Sequence, residues 1–465
     1  MSARYPLDLR SLALFRICLG ALLIADLLDR SADLSAHYTD AGVLPRAAHR
    51  ALFGGFELWS VHLWFDGARG QALLFGLAAA AALLLLLGRW TPLATLASWL
   101  LLASLHHRQP FVLTGGDSLL LLLLFWALFL PLGARWSLDA RHGAARGGDG
   151  SGDGGVERSA ASTALVAQIL IVYLLAALLK LEDPSWRRLT ALAESFGVEG
   201  VATDLARALL GHPALLRAAT LATLAFELLA PWLIFSPWRT PQVRAGVVLA
   251  FLAFHLLGAR STLALGLVPY AMATAWIALL PPWFWERVLP RGREPVAAPR
   301  PAPRRGSARA RELAVWLLLA LVIADAAGSL DRPAWRRLAP EALRSAVLAL
   351  GLFQNWALWS TPVDNRYYVF PAHLRDGEEI DLHTGRALDW SAPRPRSQNA
   401  HWWKYQLHLS RPYAAGLRRF YAAWLAREWN REQPPERRVA QLEIVQLSGP
   451  WDAPRERLRR TRLWP

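Results

Sequence analysis

The chain has 465 residues and a formal net charge of +15, yet only 19% of its residues are charged and 54% are hydrophobic. Soluble globular chains are usually about 45–50% apolar and about one quarter charged. The single cysteine, Cys18, excludes an internal disulfide and any metal site built on paired cysteines. Most arginines lie in connecting segments and the C-terminal tail, as in membrane-protein loops, so no nucleic-acid partner is expected.

Nine apolar segments approach the roughly 20 residues that a membrane-spanning helix needs. Because open sheets leave backbone groups unsatisfied in lipid, all nine are predicted to be helices. They lie near residues 11–28, 70–88, 91–107, 117–133, 160–181, 214–236, 243–260, 262–282 and 312–330. The first resembles a signal peptide, but Arg16 and Asp26 interrupt it and no small-residue cleavage site follows, so it is predicted to be a retained span.

The distribution of arginines predicts the orientation of the chain. With nine spans and an internal N-terminus, the inside segments carry 17 arginines and the opposite loops carry 10. The positive-inside rule therefore predicts a cytoplasmic N-terminus and an extracytoplasmic C-terminal domain. An arginine-rich, lysine-poor composition is typical of GC-rich bacterial genomes, which predicts a bacterial inner membrane. Two linkers are predicted, a Gly/Asp-rich one at 142–155 and an extended, cytoplasmic Pro/Arg-rich one at 291–311.

The chain is predicted to divide into a transmembrane helical bundle at residues 1–330 and a small α+β domain at 331–465. The second part contains two helical patterns, at 339–352 and 413–429, and a strand at 440–446. A hairpin is predicted between strands 367–370 and 379–382, which flank an Asp-Gly turn. Two alternatives remain for five tryptophans, which either anchor the domain at the membrane interface or belong to its core: Trp356, Trp359, Trp390, Trp402 and Trp403.

Ionisable side chains within lipid are costly, so each one is a candidate functional residue. Lys180 is the most informative, because the chain has only two lysines among its 51 basic residues. A desolvated lysine can lose its proton and act as a base, whereas arginine cannot. The alternative is a lysine that extends to the membrane surface. Glu227 and His255 lie within later spans, where each either serves the site or holds neighbouring helices together.

No metal site is expected near the third and fourth spans. His106 and His107 are adjacent and therefore point to different faces of a helix, and Asp117 lacks further ligands at suitable spacing. The sequence also contains no HExxH, GxSxG or P-loop motif. Hydrolase triads and nucleotide-driven motors are therefore not supported.

Several segments resemble the horizontally transferred transmembrane domain (HTTM) proteins, the group that contains the vitamin K-dependent gamma-glutamyl carboxylases. The resemblance covers most of residues 10–390, and its most specific part is an apolar helix that ends Lys-Leu-acidic before a tryptophan. The matching segments are ALFRICLGALLIADLLDR (13–30), HYTDAGVLPR (37–46), GGDSLLLLLLFWALFLPLGARWSLD (115–139), QILIVYLLAALLKLEDPSW (168–186) and AFHLLGARSTLALGLVPYAM (253–272), with weaker similarity in NWALWSTP (355–362) and LRDGEEIDL (374–382).

This resemblance implies that Lys180 is the base that deprotonates reduced vitamin K or another isoprenoid hydroquinone. Oxygen would then react with the hydroquinone anion, and glutamate carboxylation by CO2 would accompany epoxidation. His255 is predicted as a second catalytic residue. Glu227, Arg16 and Asp26 are predicted to bind the cofactor. An isoprenoid cofactor would arrive from the bilayer, and a dry pocket would protect the reactive intermediates from water.

The chain departs from the carboxylase pattern, so two functions are weighed. It lacks their cysteine pair, has Leu179 where they carry a second lysine, and holds Gln109–Pro110 near the place of a catalytic histidine. The first function is a membrane enzyme that acts on a quinol and an external peptide or protein. The second is a non-enzymatic membrane protein that assists maturation or secretion of a partner peptide. A transporter ranks last, because no internal repeat is visible.

Overall fold

The computed structural model describes the chain apart from residues 1–3, 55–57, 146–154, 290–304, 332, 335–336, 338, 358–363, 391–398 and 455–456. Most of the two predicted linkers, and Trp359, lie outside the described residues. The described end of the second linker differs from the prediction, because the chain is helical from Arg305 onward rather than extended.

Six helices in the described part of the chain are long and apolar enough to cross a membrane. The protein is therefore a multi-pass membrane protein with a helical bundle, as the sequence predicted. These helices are α1 (Leu9–Ser31), α2 (Ala68–Leu87), α5 (Ala160–Glu182), α6 (Pro213–Leu229, continued by a 3₁₀ turn at Ala230–Phe235), α7 (Thr240–Ala253, continued to Thr262 through a π-helical turn at Phe254–Ala259) and α9 (Arg305–Leu330).

The other three predicted spans fall on α3 (Thr91–Arg108), α4 (Gly115–Ala127) and α8 (Val268–Ile277). The last two have only 13 and 10 residues, fewer than a helix needs to cross the hydrocarbon layer alone. Every residue of α4 from Leu119 to Ala127 is buried. A helix that is apolar on all sides is stable only when it is surrounded, and α4 packs against α3, α5 and α8.

Polar residues mark where several helices begin and end. Thr114 and Asp117 form a reciprocal capping box at the start of α4, and Ser159 and Ser162 form another at the start of α5. Gly88 ends α2 with a φ of 67°, a left-handed conformation that favours glycine. These residues therefore define one end each of α2, α4 and α5.

Short elements connect the long helices. A two-stranded ribbon of β1 (Leu7–Asp8) and β2 (Val156–Glu157) joins the starts of α1 and α5. The short helices in the connections are Leu34–Tyr38, Arg46–Leu52, Val61–Trp64, Pro110–Val112, Leu138–Ala145, Pro184–Arg187, Ala191–Phe196, Asp204–Leu209 and Pro282–Val288.

The C-terminal part combines helices with two small antiparallel sheets, which confirms the predicted α+β character. The strands are β3 (Asn365–Val369), β4 (Pro371–Leu374), β5 (Glu379–Asp381), β6 (Arg386–Ala387), β7 (Val439–Leu442), β8 (Ile444–Gly449) and β9 (Arg459–Trp464). One sheet has the strand order β6-β5-β4-β7 and the other has the order β3-β8-β9. The longer helices are α10 (Glu341–Ala349), α11 (Ala400–Leu409) and α12 (Leu417–Glu432), with 3₁₀ turns at Pro412–Ala414 and Pro435–Arg437.

The predicted hairpin forms with a different first strand. Gly377, with a φ of 87°, lies in the turn as expected, but the strand that pairs with β5 is β4. Residues Tyr367–Val369 belong to β3 and pair with β8 in the other sheet. The chain therefore passes from one sheet to the other at Phe370–Pro371, where proline lacks the amide hydrogen that would continue a ladder.

The C-terminal domain shares hydrophobic cores with the bundle. Val43 and Phe111, from loops of the bundle, are buried in one cluster with Phe370 and Tyr405. Trp356 is buried in the main core of the bundle. Trp402 is also a core residue, so these two tryptophans are not lipid-facing anchors. The division of the chain at residue 330 remains a prediction, because residues on both sides of it contribute to the same cores.

Candidate functional site

The structure pairs Lys180 with Glu227 inside the bundle. Lys180 lies in the last turn of α5 and Glu227 lies within α6, and the Lys180 ammonium donates a hydrogen bond to the Glu227 carboxylate. Lys180 is 3% exposed and Glu227 is 8% exposed. The Lys180 Nζ also lies 5.0 Å from the centre of the Trp186 ring. The carboxylate and the aromatic face both stabilise this charge and offset part of the cost of burying it.

His255 and Tyr173 form a second buried polar pair. The Tyr173 hydroxyl is 2.5 Å from His255 Nε2, and Trp276 Nε1 donates to the same hydroxyl oxygen at 2.8 Å. The hydroxyl accepts from Trp276, and it donates to His255 in the tautomer whose Nε2 carries no hydrogen. The charge of Lys180 acts on His255 and that of Glu227 acts on Tyr173, so the two pairs are neighbours.

The backbone at His255 is irregular. This residue lies in the π-helical turn at Phe254–Ala259, which interrupts α7. Such single turns are rare and occur often at functional sites. The Phe251 ring, one turn earlier, stacks on Trp276 with centroids 4.0 Å apart and an interplanar angle of 5°. Aromatic packing thus fixes the region around His255.

Arg16 lies away from Lys180. It is fully buried in the first half of α1, where its guanidinium donates to the carbonyls of Leu132, Arg135 and Trp136. These carbonyls follow the end of α4, so Arg16 ties α1 to the connection after α4. The described hydrogen bonds of Arg16 do not join it to the Lys180 region, and its predicted role in cofactor binding stays a prediction.

Asp26 belongs to an ionic cluster that also contains Arg30, Asp117 and His401. Arg30 Nε is 2.8 Å from both oxygens of Asp26, and its Nη2 donates to Asp117. His401, from α11, lies 3.3 Å from a carboxylate oxygen of Asp29 and close to Asp26 and Asp117. The cluster joins α1, α4 and the C-terminal domain, and each of its four members is buried.

Three residues of the ionic cluster carry side chains of the types that ligate metal ions. One atom each from Asp26, Asp117 and His401 lies within 4.8 Å of the others. Two carboxylates and an imidazole are suitable ligands for zinc. However, the Arg30 guanidinium already binds both carboxylates, and a metal would have to displace it. The arrangement is therefore better described as an ionic network than as a metal centre.

Sequence reasoning missed the partners of its candidate residues. Tyr173 lies seven residues before Lys180, on the same face of α5, so helical spacing gave a signal for it. Trp186 stands in the segment compared with the HTTM proteins, but its contact with the ammonium was not predicted. His401 gave no signal, because it is 375 positions away from Asp26 in sequence.

A comparison with known families gives a match over about half of the chain. The model of a family described as the lipase maturation factor transmembrane domain matches residues 12–260, from α1 to the end of α7, and includes Lys180, Glu227 and His255. No curated protein and no solved structure matches the chain. The matched family is a membrane family, and the relationship to the HTTM proteins and the carboxylases stays a hypothesis.

Proposed function

The chain belongs to the lipase maturation factor transmembrane domain family, and from this premise we propose that it assists the maturation of a partner polypeptide at the membrane. The bundle is the scaffold, and the C-terminal domain faces the partner. The family name suggests a lipase as the class of partner, and we propose that this lipase is exported. The site of action is the membrane face that carries the C-terminal domain.

One observation carries this proposal, namely that several buried charges of the bundle form ion pairs with one another. Lys180 binds Glu227, and Arg30 binds Asp26 and Asp117. Paired buried charges fix how helices meet, because breaking a pair leaves an uncompensated charge in a medium of low dielectric constant. A bundle arranged in this way holds the C-terminal domain in a fixed position, as a scaffold requires.

Deletion of the chain in its native host tests this function. We expect the lipase activity of the exported fraction to fall while the amount of lipase messenger RNA stays constant. Complementation with the wild-type chain should restore the activity. Unchanged exported activity in the deletion strain, with the lipase still present and folded, would contradict the proposal.

A second candidate function is quinol chemistry at Lys180, and the neighbouring Tyr173–His255 pair favours it. In this function the Lys180 amine would act as the base after passing its proton to Glu227. Reduced vitamin K or another isoprenoid hydroquinone would donate its hydroxyl proton to that amine. The tyrosine–histidine pair would orient the ring, and oxygen and CO2 would be the co-substrates.

Substitution of Lys180 by arginine separates the two functions. Arginine keeps the ion pair with Glu227 but cannot act as a base. Quinol-dependent oxygen uptake by the purified chain should therefore be lost in Lys180→Arg, while exported lipase activity is retained if the bundle is only a scaffold. Quinol turnover that persists in Lys180→Arg would exclude Lys180 as the base.

A further inference from the structure

A cleft opens on the C-terminal domain between α12, the turn from β5 to β6 and the segment that follows α1. It consists of two adjoining cavities of about 450 and about 550 Å³. Both volumes lie in the range of ligand-binding pockets. Four residues line both cavities: Asp33, Trp424, Glu428 and Arg431. We refer to this feature as the aromatic cleft, because tryptophan and tyrosine rings form much of its wall.

The rings of the aromatic cleft form a stacked array. Trp424 lies 5.2 Å from Trp402, with an angle of 27° between the ring planes, and 5.8 Å from Tyr421, with an angle of 20°. Trp429 lines the same cavity, and its Nε1 donates to the carbonyl of Arg437. The faces of aromatic rings attract cations, and tryptophan does so most strongly.

The lining of the cleft is acidic, although the chain as a whole has a net charge of +15. Its carboxylates are Asp33, Asp66, Glu428 and Glu432. Among the described residues two guanidiniums pair with them, that of Arg431 and that of Arg46, which lies 3.7 Å from Asp66. Arg431 is itself hydrogen-bonded to Glu428. Asp33 and Glu432 therefore leave the cleft with an excess of negative charge. Trp402 Nε1, which is buried in its wall, has no hydrogen-bond partner among the residues that the structure describes.

We propose that the aromatic cleft binds a basic, extended segment of the partner polypeptide. Carboxylates at the rim pair with lysine or arginine side chains, and the partly exposed rings of Trp424 and Trp429 accept the same cations and the aliphatic parts of their side chains. The volume accommodates a few side chains rather than a folded domain. The identity of the occupant as a maturing partner rests on the proposed function, whereas the binding of basic peptide is a property of the cleft itself.

Peptide binding to the purified full chain in detergent tests this inference. The probes are a fluorescent octapeptide of alternating arginine and leucine, the same peptide with glutamate in place of arginine, and a neutral oligosaccharide. We expect the basic peptide to bind, the acidic peptide not to bind, and the affinity for the basic peptide to fall as ionic strength rises.

Two variants locate the binding. The double substitution Glu428→Gln/Glu432→Gln and the single substitution Trp424→Leu should each weaken binding of the basic peptide roughly threefold to tenfold. The matched control Glu341→Gln/Glu436→Gln removes the same number of charges outside the cleft and should leave binding unchanged.

Three results would overturn the inference. These are equal binding of the basic and acidic peptides, retention of binding in both cleft variants, and binding of the oligosaccharide instead of the basic peptide. The peptide assay contains no lipase, so its failure is distinct from failure of the proposed function. A chain that supports lipase export but binds no basic peptide would keep the function and exclude this cleft as its docking site.

Discussion

The Lys180–Glu227 pair illustrates how a single buried charge depends on its partner. Replacing one member leaves the other charge unpaired in the bundle, which typically costs about 3–5 kcal/mol. We therefore expect Lys180→Met and Glu227→Leu, each alone, to lower the thermal stability of the purified chain strongly. Differential scanning of the protein in detergent, with Lys180→Arg as the charge-preserving control, measures this effect.

The double variant Lys180→Met/Glu227→Leu distinguishes pairing from packing. Because both charges are removed together, it should be more stable than either single variant. Additive losses in the double variant would mean that the two residues contribute independently, and would contradict the pairing in the structure.

The buried residue His62, which lies outside the membrane-spanning helices, should make the stability of the chain depend on pH. Burial lowers the pKa of this histidine from 6.5 to about 4. The unfolded chain then binds a proton more readily than the folded chain between these two values, so the stability that His62 provides is present above pH 6.5 and is lost as the pH falls toward 4. The shift corresponds to about 3 kcal/mol at most.

Unfolding of wild type and His62→Asn between pH 8 and pH 4 tests this dependence. At pH 8 the difference between the proteins reports the lost hydrogen bond from His62 Nδ1 to Gln71, whose length is 2.7 Å, and the lost ring contacts with Tyr38 and Phe75. Toward pH 4 the wild type should lose more stability than the variant. Parallel pH profiles would show that His62 is not the group responsible.

At the scale of single elements, apolar runs predicted the helices because a span must satisfy its backbone internally. All nine predicted spans fall on helices, although α4 and α8 are shorter than expected. The turn at Gly377 was also predictable, since its left-handed backbone is a local property. The strand that pairs with Tyr367–Val369 was not predictable, because strand pairing joins residues far apart in sequence.

The contact between α1 and α2 depends on Gly20. A Cβ atom on this glycine would lie 2.7 Å from Leu86 Cβ and 2.8 Å from the Leu86 Cα and N atoms. Backbone atoms cannot move aside as a side chain can, so Gly20→Ala should force the helices apart and cost about 1–3 kcal/mol. Thermal unfolding in detergent measures this loss.

Gly76 provides a matched control for Gly20. It lies in α2, and a Cβ atom there would meet nothing within 4 Å. Alanine at this helix position should be neutral or should stabilise the chain by up to about 1 kcal/mol. Equal losses of stability in Gly20→Ala and Gly76→Ala would show that the close approach of α1 and α2 does not require a glycine at position 20.

At the scale of the whole molecule, the sequence identified the residues of the candidate site but not which of them lie together. Lys180 was identified because lysine is rare in this chain, and Glu227 and His255 because they interrupt apolar spans. The structure brings these three together but places Arg16 and Asp26 elsewhere, since the sequence does not state which helices meet. The shared core of the bundle and the C-terminal domain was invisible for the same reason.

That shared core predicts that the bundle and the C-terminal domain stabilise each other. Phe111, on the loop between α3 and α4, is 5% exposed, and its ring lies 5.4 Å from both Phe53 and His408. Removing a buried phenylalanine side chain typically costs about 3–5 kcal/mol. We therefore expect Phe111→Ala to reduce the protection of amide hydrogens in α11, which belongs to the C-terminal domain.

Hydrogen exchange followed by mass spectrometry measures this coupling across the full chain. Phe235→Ala is the control, because Phe235 is 51% exposed and lies at the opposite end of α6 from the C-terminal domain. It should leave the exchange of α11 unchanged. If α11 keeps its wild-type protection in Phe111→Ala, the C-terminal domain folds independently of the bundle. A C-terminal domain that folds in this way would dock on the bundle rather than share its core, and the bundle would no longer be required to hold the aromatic cleft in place.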